Sequence, residues 1–285
     1  MKTVTKINTL RKIISRAKSK NMRVGFVPTM GALHEGHLSL LHQCRRENDL
    51  VILSIFVNPI QFGPGEDFSA YPRDKIKDVL LAKKEKTDII FYPSAKEMYP
   101  NSFLTFIQVA QLSDGLCGRS RPGHFRGVAT IVAKLLNIVE PDTLYLGQKD
   151  AQQSVVIKKM IHDLNFPVTL RICPTIREKD GLALSSRNKY LNARQRREAI
   201  ILYRSLALAK KKIQNGERCA NHIKDMIQKN IVSQSSGKID YIVCVNADNL
   251  KPLKRLTGKI LIALAVKFGQ ARLIDNIVVK IKSAH

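Results

Sequence analysis

Tryptophan is absent from the 285 residues, and aromatics of all kinds make up only 6% of them. So few ring faces argue against a surface that stacks nucleobases along a strand. Cys44, Cys117, Cys173, Cys219 and Cys244 show no pairing pattern and no C-x-x-C spacing. Reduced thiols in a cytoplasmic protein are therefore expected. No apolar run reaches the roughly 18 residues that a membrane helix needs. Residues 1–20 are basic but lack the apolar core and small-residue cleavage site of a secretory signal. Neither internal repeats nor a low-complexity segment occurs.

Acidic residues are also scarce. There are 23 Asp and Glu against 48 Lys and Arg, a formal net charge of +25. The excess is uneven: residues 1–176 hold 25 basic and 15 acidic residues, and residues 177–285 hold 23 and 8. A nucleic-acid partner is one reading of such a charge. Against it, the basic residues come singly or in pairs, with 210–212 the one run of three lysines, and no RNA-binding module motif occurs. The reading adopted is a solvated surface that draws anionic substrates into a cleft, with no nucleic acid and no membrane as partner.

What is present begins with a hydrophobic content of 44%, ordinary for a globular core. The most informative stretch is 23–43, RVGFVPTMGALHEGHLSLLHQ. Residues 24–27 form a short apolar run that reads as a buried strand, and Pro28 and Gly31 turn the chain. Leu38, Leu41 and Cys44 then recur at helical spacing. His34 and His37 stand three apart at the opening of that helix, on one side of its first turn. Unpaired backbone N–H groups and the positive dipole end lie there too, which suits a phosphate. Gly31 and Gly36 let a bulky ligand approach the backbone. The spacing excludes the H-E-x-x-H zinc-protease pattern, whose histidines are four apart. The H-x-G-H arrangement resembles the nucleotidyl-transferase superfamily.

Downstream, strands are expected at 50–57, 87–92, 103–109, 143–146 and 166–173, and helices at 74–86, 128–139 and 151–164. The stripe Val4, Ile7, Leu10, Ile13 and Ile14 predicts a first helix. Alternation over 23–173 predicts an α/β fold with a Rossmann-like, doubly wound parallel sheet. The loop after 50–57 is rich in Pro and Gly, and Asn58 and Gln61 in it are amides able to orient a polar substrate. The loop 119–127 is basic and suits an anion as well as it suits plain solvation. Lys149 sits at a strand–helix junction, well placed to neutralise a phosphate, with Gln153 about one turn on. Ser185, Ser186 and Arg187 are able to make charge-assisted contacts with a polyphosphate. Beyond 176 the texture changes: helices at 192–215 and 218–232 precede strands at 238–245, 259–266 and 277–281. A smaller α+β domain over 177–285 is therefore set apart from a first domain over 1–176.

Five segments together resemble one family, the pantoate–β-alanine ligases. They are VPTMGALHEGHLSL (27–40), SIFVNPIQFGPGEDFSAYPR (54–73), RPGHFRGVAT (121–130), LGQKDAQQ (146–153) and DGLALSSRNKYL (180–191). RLIDN (272–276) resembles the family's late segment. The resemblance implies an ATP-dependent condensation of pantoate with β-alanine through pantoyl-adenylate, releasing pyrophosphate and AMP. It implies that Met30, Gly31, Ala32, Leu33, His34, Glu35, Gly36 and His37 form the ATP-binding turn, with His37 the proton donor. Gly147, Gln148, Lys149 and Asp150 would contact the nucleotide, Ile176 would pack on adenine, and Leu184, Ser185, Ser186 and Arg187 would close over the polyphosphate. The implied catalytic set is His34, His37, Lys149 and Arg187. Gln61 and Gln153 would hold pantoate, with Asn58 and Arg126 supporting, and Gln61 would also meet β-alanine. Mg²⁺ would enter on ATP, held largely by phosphates, and Asp150 would meet either the ribose or the metal. A homodimer through the nucleotide domain and a second domain acting as a lid are further implications.

Two departures from the family text stand out. Gln148 replaces the Glu expected in G-E-K-D, and LSDGLCGR (112–119) differs from the usual loop. A different adenylyltransferase of the same fold and a nucleic-acid binder remain the alternatives. The 54–73 loop and LGQKDAQQ separate the ligase from the first, and salt-sensitive binding to DNA or RNA would mark the second.

Overall fold

The computed structural model describes residues 1–101 and 103–281. Contacts divide the chain into two units, Met1–Gly147 with Val156–Pro174, and Gln148–Val155 with Thr175–His285. A single cut near 176 was expected, with Gln148–Val155 in the first domain; the contacts group that segment with the later residues instead.

The first unit is a six-stranded parallel sheet with helices, as the alternation predicts. Its elements are β1 (Lys2–Val4), α1 (Ile7–Lys18), β2 (Val24–Thr29), α2 (Glu35–Glu47), β3 (Leu50–Ile55), α3 (Lys75–Lys84), β4 (Ile89–Phe91), α4 (Ala95–Met98), α5 (Cys117–Ser120), α6 (His124–Val139), β5 (Thr143–Gly147), α7 (Ala151–Asp163, from Val156 onward) and β6 (Thr169–Cys173). The strand order is β1-β4-β3-β2-β5-β6, and every pairing is parallel. Period-2 alternation puts Val51, Leu53 and Ile55 in one cluster with Leu38, Leu41 and Cys44 of α2. Phe26 and Ile52, fully buried, point the other way, toward the side where α1 and α6 pack on β2.

The order reverses at β2, which has β3 on one side and β5 on the other. Ligands of such sheets bind outside the carboxyl ends of the strands at this switch point. β2 pairs with β5 only through Gly25–Thr143 and Phe26–Leu144, so no ladder joins the two strands beyond Phe26. The chain that follows β2 is the H-x-G-H turn.

Two expectations in this unit are overturned. Val4 does not begin a helix: it ends β1, an edge strand whose register runs Lys2 to Ile89 and Val4 to Phe91. The apolar stripe from Ile7 onward is helical, but Val4 shares its spacing by chance, and the parallel ladder to β4 fixes it extended. Residues 103–109 form no strand. Instead Phe103 packs its ring 4.9 Å from Tyr99, and the Ile107 N–H donates to Thr130 Oγ1 on α6 at 2.9 Å. Side-chain anchors there replace a sheet partner.

The second unit contains α8 (Ala193–Glu198), α9 (Ile201–Gln214), α10 (Ala220–Gln234), β7 (Lys238–Asn246), β8 (Lys259–Phe268) and β9 (Ala271–Lys280). The strands form an antiparallel sheet in the order β7-β8-β9. β9 starts well before the expected residue 277, because it pairs with β8 along its whole length, from Phe268–Ala271 to Lys259–Lys280. Leu206, Ile227, Ile262 and Phe268 lie in its core.

Candidate active site

The turn after β2 is built by two hydrogen-bonding side chains. Thr29 Oγ1 donates to the Ser54 carbonyl at 2.8 Å and accepts the Gly31 N–H at 3.2 Å. Asp78, on α3, accepts the N–H groups of Ala32 at 3.0 Å and Leu33 at 2.7 Å, one on each carboxylate oxygen. Asp78 is 2% exposed, and burial pushes its carboxyl pKa up against the pull of those two donors. Gly31 sits at φ +82°, and a Cβ there would come within 2.8 Å of Asp78 Oδ2. The turn therefore needs both the glycine and the buried carboxylate.

His34 is the N-cap of α2. Its Nδ1 accepts the Gly36 N–H at 3.1 Å, and His37 Nδ1 accepts the His34 N–H at 3.3 Å, a reciprocal capping box made by two imidazoles. The ring centroids are 4.1 Å apart. A neutral ring that accepts at Nδ1 carries its proton at Nε2. Each histidine is thus an Nε2–H donor, held by the helix it caps.

A second constellation in the same unit surrounds Gln61, which is 8% exposed in a short 3₁₀ turn, Pro59–Gln61. Its Nε2 donates to Met30 Sδ at 3.1 Å, which joins the 58–66 loop to the H-x-G-H turn. Its Oε1 accepts from Asn58 Nδ2 at 3.0 Å. Asn58 is 1% exposed, its other amide contacts going to the Gly127 carbonyl and the Tyr99 hydroxyl. The main chain of Gln61 is held too, with its carbonyl 2.8 Å from His124 Nδ1.

Arg121, expected in an anion-suited loop, is instead engaged within the protein. Its guanidinium grips both carboxylate oxygens of Glu66 at 2.7 and 2.6 Å, and the arginine holds the Glu66 carboxyl pKa down against burial. Arg126 is exposed, its guanidinium 4.5 Å from the centroid of the Phe106 ring.

In the second unit, residues 176–184 fold back on themselves. The Leu184 N–H donates to the Ile176 carbonyl at 3.0 Å, and Arg177 bridges Ala183. Ser185 Oγ accepts the Arg187 N–H at 3.3 Å, which fixes the start of the Ser186–Tyr190 turn. Arg177 makes a bidentate pair with the buried Asp275 at 2.6 and 2.8 Å and lies over the Tyr203 ring. Next along β9, Asn276 Nδ2 donates to the carbonyls of Gln148 at 3.0 Å and Lys149 at 2.9 Å, and Asn276 Oδ1 accepts Gln148 Nε2 at 3.0 Å. Gln148, the departure from the family text, thus has a partner suited to an amide. Lys149 Nζ lies 3.7 Å from Asp150 Oδ1, and Gln153 is half-buried on α7.

Met30, Gly31, Ala32, Leu33, His34, Glu35, Gly36, His37, Asn58, Gln61, Arg126 and Gly147 thus belong to the first unit. Gln148, Lys149, Asp150, Gln153, Ile176, Leu184, Ser185, Ser186 and Arg187 belong to the second. Asp78, Tyr99, Asp275 and Asn276 were not singled out from the sequence. The RLIDN segment offered a hint for the last two without a role. Among the described residues no three His, Cys, Asp or Glu converge to hold a metal ion, and no helix is long and apolar enough to cross a membrane.

A parallel α/β sheet whose switch-point strand runs into a histidine-capped H-x-G-H helix defines a nucleotide-binding enzyme of the nucleotidyl-transfer type. The pantoate-beta-alanine ligase family model matches residues 2–278, so the chain belongs to that family. It is similar to the pantothenate synthetase of Caldicellulosiruptor saccharolyticus, 54% identical over 281 residues, spanning 99% of this chain and 100% of the relative. It is 51% identical over 281 residues to that of Moorella thermoacetica, covering 99% of each chain. Among solved structures, pantothenate synthetase from Thermus thermophilus matches with a TM-score of 0.92 at 43% identity, covering 97% of this chain and 99% of that one. The ligase from Francisella tularensis, complexed with beta-gamma ATP and beta-alanine, matches with a TM-score of 0.78 at 36% identity, covering 98% and 97%.

Proposed function

We propose that this chain joins pantoate to β-alanine with ATP, forming pantothenate, AMP and pyrophosphate. The observation that carries the reading is the match along nearly the whole chain to pantoate–β-alanine ligases, with the H-x-G-H turn at the switch point of the sheet. A carboxylate is a poor acyl electrophile. Its oxygen first attacks the α-phosphorus of ATP, and the bond to pyrophosphate breaks. The β-alanine amine then attacks the acyl carbon of pantoyl-adenylate, AMP leaves with its new oxygen, and the amine gives up a proton.

In such a transfer the protein positions groups and neutralises charge. Nε2–H of His34 and of His37 donate to phosphate oxygens, with His37 as proton donor. Lys149 and Arg187 supply positive charge, and Ser185 and Ser186 supply hydroxyl donors. Met30, Gly31, Ala32, Leu33, Glu35 and Gly36 line the nucleotide, as do Gly147, Gln148 and Asp150. Ile176 packs on the adenine, and Leu184 closes over the polyphosphate together with Ser185, Ser186 and Arg187. Gln61 and Gln153 hold pantoate, with Arg126 nearby, and Gln61 also meets β-alanine. Mg²⁺ would enter on the ATP phosphates, which suits a small, strongly hydrated cation better than a protein cage, and would neutralise phosphate charge there, while Asp150 would meet either the ion or the ribose. A cytoplasmic homodimer completes the reading.

The test is ATP–pyrophosphate exchange with folded protein and magnesium. Exchange is expected only when pantoate is present, with AMP released on adding β-alanine. No exchange in the presence of pantoate would overturn the ligase reading.

A further inference from the structure

We infer that Tyr99 and Asn58 are positioning residues that lock the Gln61 amide so that it offers its NH2 group, not its carbonyl, to the substrate. The inference rests on the reading of Gln61 as a pantoate residue, and it adds which end of that amide meets the ligand and what enforces it.

The orientation follows from one fixed point. The Gly127 carbonyl can only accept a hydrogen bond, and an amide group of Asn58 lies 3.1 Å from it. That group must therefore be Nδ2. Oδ1 then faces the Tyr99 hydroxyl at 2.7 Å, so the hydroxyl donates. The remaining proton of Asn58 Nδ2 goes to Gln61 Oε1 at 3.0 Å. With Oε1 turned to Asn58, Gln61 Nε2 lies at the other end of the amide, where its protein partner is the weakly accepting Met30 Sδ at 3.1 Å. The orientation is passed on from a main-chain carbonyl, which can only accept, through Asn58 to the amide that meets substrate.

The backbone supports the relay. A Cβ at Gly127 would lie 2.3 Å from the Ile60 carbonyl oxygen and 2.6 Å from Gln61 Cα, so only glycine lets α6 bring its carbonyl this close. Asn58, at 1% exposure, is shielded from the bulk solvent that would otherwise replace a lost partner. The ligand group met by Gln61 is accordingly a hydrogen-bond acceptor, a carboxylate or a hydroxyl lone pair, both of which pantoate carries. A substrate analogue presenting only donors at that position would leave Nε2 without a ligand acceptor and is expected to bind more weakly.

The experiment is steady-state kinetics on the full-length enzyme, with pantoate and ATP varied separately. Tyr99→Phe keeps the ring packing on Phe103 and removes the O–H; KM for pantoate is expected to rise about tenfold, the equivalent of one lost buried hydrogen bond, with KM for ATP within about twofold. Asn58→Asp cannot donate, so the Gln61 amide must turn its NH2 inward; KM for pantoate is expected to rise about a hundredfold. Gln61→Ala is the control. If Gln61→Ala raises KM for pantoate while folded Tyr99→Phe and Asn58→Asp leave it unchanged, the relay is wrong and the site reading stands. If Gln61→Ala itself leaves it unchanged, the assignment of Gln61 falls and takes the relay with it. Equal rises in both KM values for Tyr99→Phe would mark a purely structural tyrosine and also overturn the inference.

Discussion

An imidazole that accepts a backbone N–H at Nδ1 carries its proton at Nε2 when neutral, and both His34 and His37 do so. The fold uses Nδ1 of each ring in the capping box of α2, so in the neutral ring the proton sits on Nε2. His37→Ala is expected to lower the pantoate-dependent exchange rate by about a hundredfold or more. Losing the cap should cost about 1 kcal/mol of stability, too little to account for that loss. An unchanged rate, with folding checked by thermal melting, would remove His37 from the chemistry. This pair was legible in the sequence because its geometry is local, with two histidines and a glycine at the start of one helix. Asp78 was not legible. Its partners Ala32 and Leu33 lie more than forty residues away, and an aspartate in a Lys-rich helix looks like a solvated one. Tyr99 was hidden for the same reason, reading as an aromatic before a proline.

Elements were legible where period and length agree. The long parallel strands, α2 and α6 follow from apolar spacing alone, and the alternation gave the parallel sheet. Short or singly anchored segments were not: Val4 and residues 103–109 take their conformations from a ladder and from side-chain anchors far along the chain. The expected helix at 192–215 divides into α8 and α9, although Ala199 and Ile200 between them keep right-handed helical dihedrals. The β9 strand shows what the late RLIDN segment does. Asp275 and Asn276 stand side by side; one secures Arg177, next to Ile176, and the other secures the main chain of Gln148 and Lys149. Two segments assigned to ATP are thus held by adjacent residues of one strand. Asn276→Ala removes both donors to those carbonyls. It is expected to raise KM for ATP about tenfold, measured by exchange at saturating pantoate, and an unchanged KM would show that the segment holds itself.

For the whole molecule, the scarcity of acidic residues and the surplus of basic ones suit substrates that all arrive with negative charge. Several of the few carboxylates are spent internally on arginines, as in Glu66 with Arg121 and Asp275 with Arg177. Each such pair neutralises one cation with one anion, so the formal excess of +25 stands. Attack of the pantoate carboxylate on the α-phosphorus moves one carboxylate oxygen into AMP, and oxygen tracing reads that transfer. Pantoate labelled with ¹⁸O in its carboxylate is supplied with ATP, magnesium and β-alanine, and the products are weighed by mass spectrometry. AMP carrying one ¹⁸O atom and unlabelled pyrophosphate are expected. Label in pyrophosphate or inorganic phosphate, or pantothenate formed with unlabelled AMP, would contradict it.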